Sequence, residues 1–193
     1  MQNLNELSAQ AHENARKHGF WENNPTPEHC LMLVITEIGE MVEADRKDRL
    51  CIFNRIKKEA NLAAAQKISY RELVDNAPDF NEAFGEIVKD TVEDEMADVA
   101  IRLLDLAGHL GMDFTKLSEM RYHRAFDHFS FTENAFALCK GLTRDNINVF
   151  KRIQFGLHYI SKWARSRRVN LEWHVERKMK FNESRSIKHG KKY

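Results

Sequence analysis

The 193-residue chain has little of what usually staples or punctuates a fold. Its three cysteines, Cys30, Cys51 and Cys139, are scattered and form no Cys-x-x-Cys pair. Neither a disulfide framework nor a structural zinc site is expected. Glycine (8 residues) and proline (3 residues) are scarce, and Pro25 and Pro27 share one turn. So few breakers leave long unbroken segments, which points to an all-α protein. No apolar run approaches the roughly 20 residues of a membrane helix. The opening Met1-Gln2-Asn3-Leu4-Asn5-Glu6 has no basic start before an apolar stretch. No secretory signal and no membrane partner are therefore expected, and the expected location is cytoplasmic. A Gly-x-x-x-x-Gly-Lys phosphate loop is absent. None of the nine histidines stands three residues after a Glu, which argues against a di-iron carboxylate bundle.

What is present is enough to fold. Apolar residues make up 42% and charged residues 31%, a mix unlike that of disordered chains. The length suits one or two small domains with a core that needs no disulfides. The net charge of +1 conceals two opposed segments. Residues 82–105 carry eight acids against two bases, and residues 162–192 carry eleven bases against three acids. Two such segments can be plain solvated faces, can attract each other, or can hold a cation and a polyanion together.

Periodicity predicts helices over Leu4 to Lys17, His29 to Lys47, Ile52 to Ala65 and Glu82 to Leu110. A helix capped by Asp113 and running to about Phe126 comes next, then Thr132 to Lys140, Asn146 to Arg167 and Leu171 to Asn182. Ser69 to Asn81 reads as a loop or short helix, and the last eleven residues as a basic tail. Ile101 to Ala125 can be laid on His158 to Asn182 at an offset of 57, as two helix–turn–helix units.

Seven acid-x-x-acid pairs occur, against about four expected by chance for 29 acids. Two of them differ in placement: Glu37/Glu40 and Glu95/Asp98 are embedded in strongly apolar stretches. Residues at i and i+3 share a helix side, so each pair offers two carboxylates to one point. On both helices the first acid lies at the edge of the apolar face. Packed side by side, the two helices would aim four carboxylates at one place. Such a cluster raises its pKa values or binds a cation, and all-oxygen ligation suits Mg²⁺, Mn²⁺ or Ca²⁺. The plain alternative is that Glu37 and Glu95 are boundary residues paired with Arg or Lys. In the basic half, Lys178 and Asn182 stand at i and i+4, with Arg185 just beyond. A point charge, an amide and a bidentate fork suit phosphate oxygens. They equally suit a solvated helix end. His18, Trp21 and Trp173 could stack a base but read as packing.

Thr36-Glu37-Ile38-Gly39-Glu40-Met41-Val42-Glu43-Ala44, Glu95-Met96-Ala97-Asp98-Val99-Ala100 and Leu106-Ala107-Gly108-His109-Leu110-Gly111-Met112-Asp113 together resemble the MazG-like all-α nucleoside triphosphate pyrophosphohydrolases. The ending Glu176 to Asn182, Ser184-Arg185 and His189-Gly190-Lys191-Lys192 is also similar to that family's Lys-x-x-x-Asn helix and basic tail, and Asn5 to Trp21 looks like its first helix. The resemblance implies one all-α helical bundle over 1–193. It implies Glu37, Glu40, Glu95 and Asp98 as catalytic Mg²⁺ ligands, with Mn²⁺ able to substitute. Lys178, Asn182 and Arg185 would bind the triphosphate. The implied reaction is hydrolysis of a nucleoside triphosphate to monophosphate and pyrophosphate, in nucleotide-pool housecleaning. Glu40 or Glu43 would orient the attacking water. Two departures stand out: 54 residues separate Glu40 from Glu95, and the Lys-x-x-x-Asn helix comes one repeat late. They suggest a fused pseudo-dimer with a degenerate second half from about 121 to 193 and one site per chain. A homo-oligomer, with a dimer favoured, is expected, and nucleic acid is not an expected partner. The competing reading is a non-enzymatic helical adaptor, or a nucleic-acid binder using the basic C-terminal segment.

Overall fold

A computed structural model describes residues 4–52, 69–117, 120 and 123–187. These residues are all-helical, with no strand among them. The α-helices are α1 (Leu4–Lys17), α2 (Pro27–Arg46), α3 (Tyr70–Asp75), α4 (Phe80–Ile87), α5 (Val92–His109), α6 (Phe131–Leu142), α7 (Val149–Ser166) and α8 (Leu171–Glu183). None is long and apolar enough to cross a membrane.

Local chemistry sets the ends. Gly19, at φ +78°, closes α1, and Phe20 N–H returns to Ala15 O at 3.1 Å. Thr26 caps α2 by accepting from His29 N–H at 3.2 Å, with Pro27 at the first helical position. Asn148 and Asn170 cap α7 and α8 in the same way.

α5 is the hub of the bundle. Val92, Met96, Ala97, Val99, Ala100, Leu103, Leu104, Leu106 and Ala107 are all buried. A helix apolar around most of its circumference must be covered on several sides. Here α1, α2, α7 and α8 cover it, and α6 packs on α7 and α2. The approach of α1 is close: a Cβ added at Gly108 would lie 2.5 Å from Ser8 O and 2.8 Å from His12 Cβ. A smaller apolar cluster, Cys51, Val74, Phe84, Ile87, Val88 and Trp173, ties α3 and α4 to α8. Asp75 fastens that contact by accepting from Trp173 Nε1 at 2.9 Å and Arg177 Nε at 2.6 Å.

Two predicted helices are corrected. The segment 82–110 is not one helix. α4 ends at Ile87, Asp90 takes a left-handed φ of +60°, and Thr91 starts α5 by accepting from Asp94 N–H. Asp tolerates that conformation, and Thr91 Oγ1 also donates to Val88 O at 2.6 Å. Asp113 does cap, but it caps a single 3-10 turn, Phe114–Lys116, and the chain is extended again at Leu117. Leu117, Met120, His123, Arg124 and Ala125 are not helical, so the first half of the proposed repeat lacks its second helix over the described residues. Glu119, Arg121, most of the segment Ile52 to Ala65, and the tail from 188 lie outside the described residues.

Candidate metal and phosphate site

The break before α5 shapes the site directly. It places Glu93, Asp94 and Glu95 in the first turn of a helix, where the unpaired N–H groups favour negative charge. All three are buried. On α2, Glu37 lies in the buried row Leu31, Val34, Glu37, Ile38 and Met41 that packs on α5. Glu37, Glu95 and Asp98 can each offer one oxygen so that the three lie within 4.8 Å of one another. Asp90, Asp94 and Glu95 form a second such trio. Glu40 lines the same cavity but stands outside both trios and is exposed. Three of the four expected carboxylates thus converge, with the fourth at the rim. Glu43 is elsewhere: it pairs with Lys47 at 2.7 Å and Arg46 at 3.1 Å on an exposed face.

The cluster is only partly compensated by the chain itself. Glu37 Oε1 accepts from Arg102 Nε at 3.0 Å. The boundary-pairing alternative therefore describes Glu37 in part. It does not describe Glu95, whose Oε2 is buried and without a hydrogen-bond partner. Asp94 Oδ1 is likewise buried and unpartnered. Lys178 Nζ reaches out from α8 between the acids, donating to Asp94 Oδ2 at 2.6 Å and lying 2.8 Å from Asp98 Oδ2. Its ammonium sits inside the carboxylate cluster. Asn182, one turn on, and Arg185 line the cavity, with Arg185 Nη1 3.5 Å from Asn182 Oδ1.

Burial and crowding distort the titrations. Glu95 is pushed up to about 9, first by burial and then by the charges of Asp98 and Asp94. Burial also lifts Asp94 to about 6, against the pull of Lys178. Burial and the Asp98 charge raise Glu37, while Arg102 holds it back. Burial alone would lower Lys178, but Asp94 and Asp98 beside it overcome that and raise it. At neutral pH Glu95 therefore holds a proton that a cation bound there would displace.

The cavity is about 240 Å³, walled by α1, α2, α5 and α8. Its lining combines the acids Glu37, Glu40, Glu95 and Asp98 with Asn182 and Arg185, and Lys178 sits among the acids. Hard oxygen donors, two buried carboxylate oxygens without partners and the close approach of three carboxylates fit a hard divalent cation. Asp94 escaped the sequence reading because Asp94 and Lys178 belong to different helices, and pairing across 84 residues leaves no spacing signal. Its place beside Glu95, three residues after the helix-capping Thr91, was the available clue.

No protein-family model matches this chain, and neither the curated proteins nor the solved structures hold a match to it.

Proposed function

We propose that this protein is a Mg²⁺-dependent nucleoside triphosphate pyrophosphohydrolase, cleaving the α–β linkage to give a nucleoside monophosphate and pyrophosphate. The observation that carries the reading is the convergence of Glu37, Glu95 and Asp98 within 4.8 Å in a cavity that also presents Asn182 and Arg185. A carboxylate trio in one small cavity with an amide and a guanidinium matches the needs of a phosphate anhydride. Glu37, Glu95 and Asp98 would hold Mg²⁺, which Mn²⁺ could replace. When bound, the cation supplies charge neutralisation of the polyphosphate and acidification of water.

The chain's own groups do the rest. Glu95 would serve as a ligand in its ionised form and so would have to give up its proton. Lys178 holds Asp94 and Asp98 in place and limits repulsion within the cluster. Arg185 and Asn182 bind phosphate oxygens, so pyrophosphate leaves with its charge screened. Glu40, exposed at the rim, accepts a proton from an incoming water. No nucleophilic side chain is required, because phosphoryl transfer rests on positioning and electrostatics. One site per chain and association into a homodimer belong to the same proposal.

The test is a panel of ribo- and deoxynucleoside triphosphates assayed for pyrophosphate with Mg²⁺ and with a chelator. Release that stops with the chelator supports the reading. Salt-sensitive duplex binding without pyrophosphate release would favour the helical adaptor instead.

A further inference from the structure

The same cavity contains an acid that metal and phosphate binding leave unused. Asp105 lies seven residues beyond Asp98 on α5, about 10.5 Å along the helix axis. It is 8% exposed and lines the cavity. Its Oδ1 is fixed from behind by two donors, His12 Nδ1 at 2.9 Å and Trp21 Nε1 at 2.8 Å. Those donors are themselves held: Trp21 stacks on His109 at 3.8 Å between centroids, and His12 meets Trp21 edge-on at 5.0 Å. Oδ2 receives no hydrogen bond from any described residue. The same cavity is lined by the small or apolar Ala11, Ala15, Phe20 and Ile101, and by Asn14, His18 and Arg102. A rigidly held carboxylate with one free oxygen, two helical turns from Asp98 in a cavity that also offers Phe20 and Ile101, suits a flat heterocycle with an N–H to give.

We infer that this end of the cavity is a nucleobase subsite, in which Asp105 Oδ2 selects bases carrying an exocyclic amino group. The inference rests on the proposed function and names its substrate class: cytosine, adenine or guanine nucleotides over those of uracil, thymine or hypoxanthine. The physical reason is the pattern of neighbours on the base edge. An amino group offers N–H donors to a carboxylate. In uracil and thymine the ring N–H is flanked by two carbonyl oxygens, which would face the carboxylate as acceptors against an acceptor.

The experiment compares CTP with UTP and GTP with ITP by pyrophosphate release, and CMP with UMP by equilibrium calorimetry. The wild type should favour the amino-bearing partner on the order of tenfold or more, the value of one charged hydrogen bond. Asp105→Asn keeps an oxygen for His12 and Trp21 but turns an amide N–H₂ into the cavity. It should abolish or invert the preference, whereas general damage would lower both partners alike. The unmodified protein gives an independent check. N4,N4-dimethyl-CTP has no amino N–H and should be handled no better than UTP. Equal handling of the paired nucleotides, or an unchanged preference in Asp105→Asn, overturns the subsite. If CMP binds better than UMP and Asp105→Asn reverses it while no triphosphate is cleaved, the subsite stands and the hydrolase reading falls. If neither monophosphate binds, the subsite falls.

Discussion

Glu95→Gln separates the site's chemistry from its stability more cleanly than any other change. Glu95 is 4% exposed, its Oε2 has no partner, and its pKa is pushed up to about 9 from an ordinary 4.5. In the folded cation-free protein it is protonated at pH 7, whereas in the unfolded chain it is ionised. The folded state therefore binds the extra proton between those two values, and stability falls as pH rises through that window. Each pH step costs about 1.4 kcal/mol, so the loss at pH 7 reaches roughly 3 kcal/mol. Glutamine resembles the protonated acid and does not titrate. Without divalent ions, Glu95→Gln should match the wild type near pH 4.5 and exceed it by roughly 3 kcal/mol at pH 7. Urea melts at half-unit pH steps would show the midpoints diverging, by roughly 1 M or more at pH 7. Mg²⁺ should then stabilise the wild type but not the variant, and pyrophosphate release should be lost in the variant. Parallel stability curves between pH 5 and 8 would refute the reasoning, for Glu95 would then carry no stored proton.

Mg²⁺ titrated into the protein at pH 7 should release about one proton per ion, seen as calorimetric heats that vary with the buffer's ionisation enthalpy; buffer-independent heats would count against Glu95 as a ligand. Glu37→Gln should lower pyrophosphate release on the order of a hundredfold or more while changing the urea midpoint little, since the amide oxygen still accepts from Arg102. Lys178→Met removes the ammonium beside the buried Asp94 and the half-buried Asp98 and should cost about 3–5 kcal/mol. Adding Asp94→Asn to that variant should recover part of the loss in the same urea melts. Gly108→Ala drives a methyl group against the α1 backbone and should destabilise by about 1–3 kcal/mol in the same urea melts.

The helices most legible in the sequence were those with one apolar stripe and clear caps. The α1 boundaries agree with the spacing, and α2, α7 and α8 depart from it by a few residues, because caps such as Thr26 and Asn170 act within one turn. The periodic pattern failed where it continued through a break. Val88, Val92 and Met96 keep helical spacing, yet the chain turns at Asp90 to give α5 its own N-terminus. It failed again after Gly111, where Asp113 caps only a 3-10 turn. An Asx cap satisfies the first N–H groups, but a helix persists only where packing rewards its apolar face.

Sequence alone determined that the chain is all-α, and that positions 37 and 95 put carboxylates at the edges of apolar stripes. Both come from residue spacing, which is a local property. Only the tertiary structure decided that Glu37, Glu95 and Asp98 meet while Glu40 stays at the rim. It also decided that Lys178 sits among the acids and that Asp94 joins them. Those outcomes depend on how α2 and α8 are rotated and set against α5. Many core side chains fix that packing jointly, and no single segment encodes it.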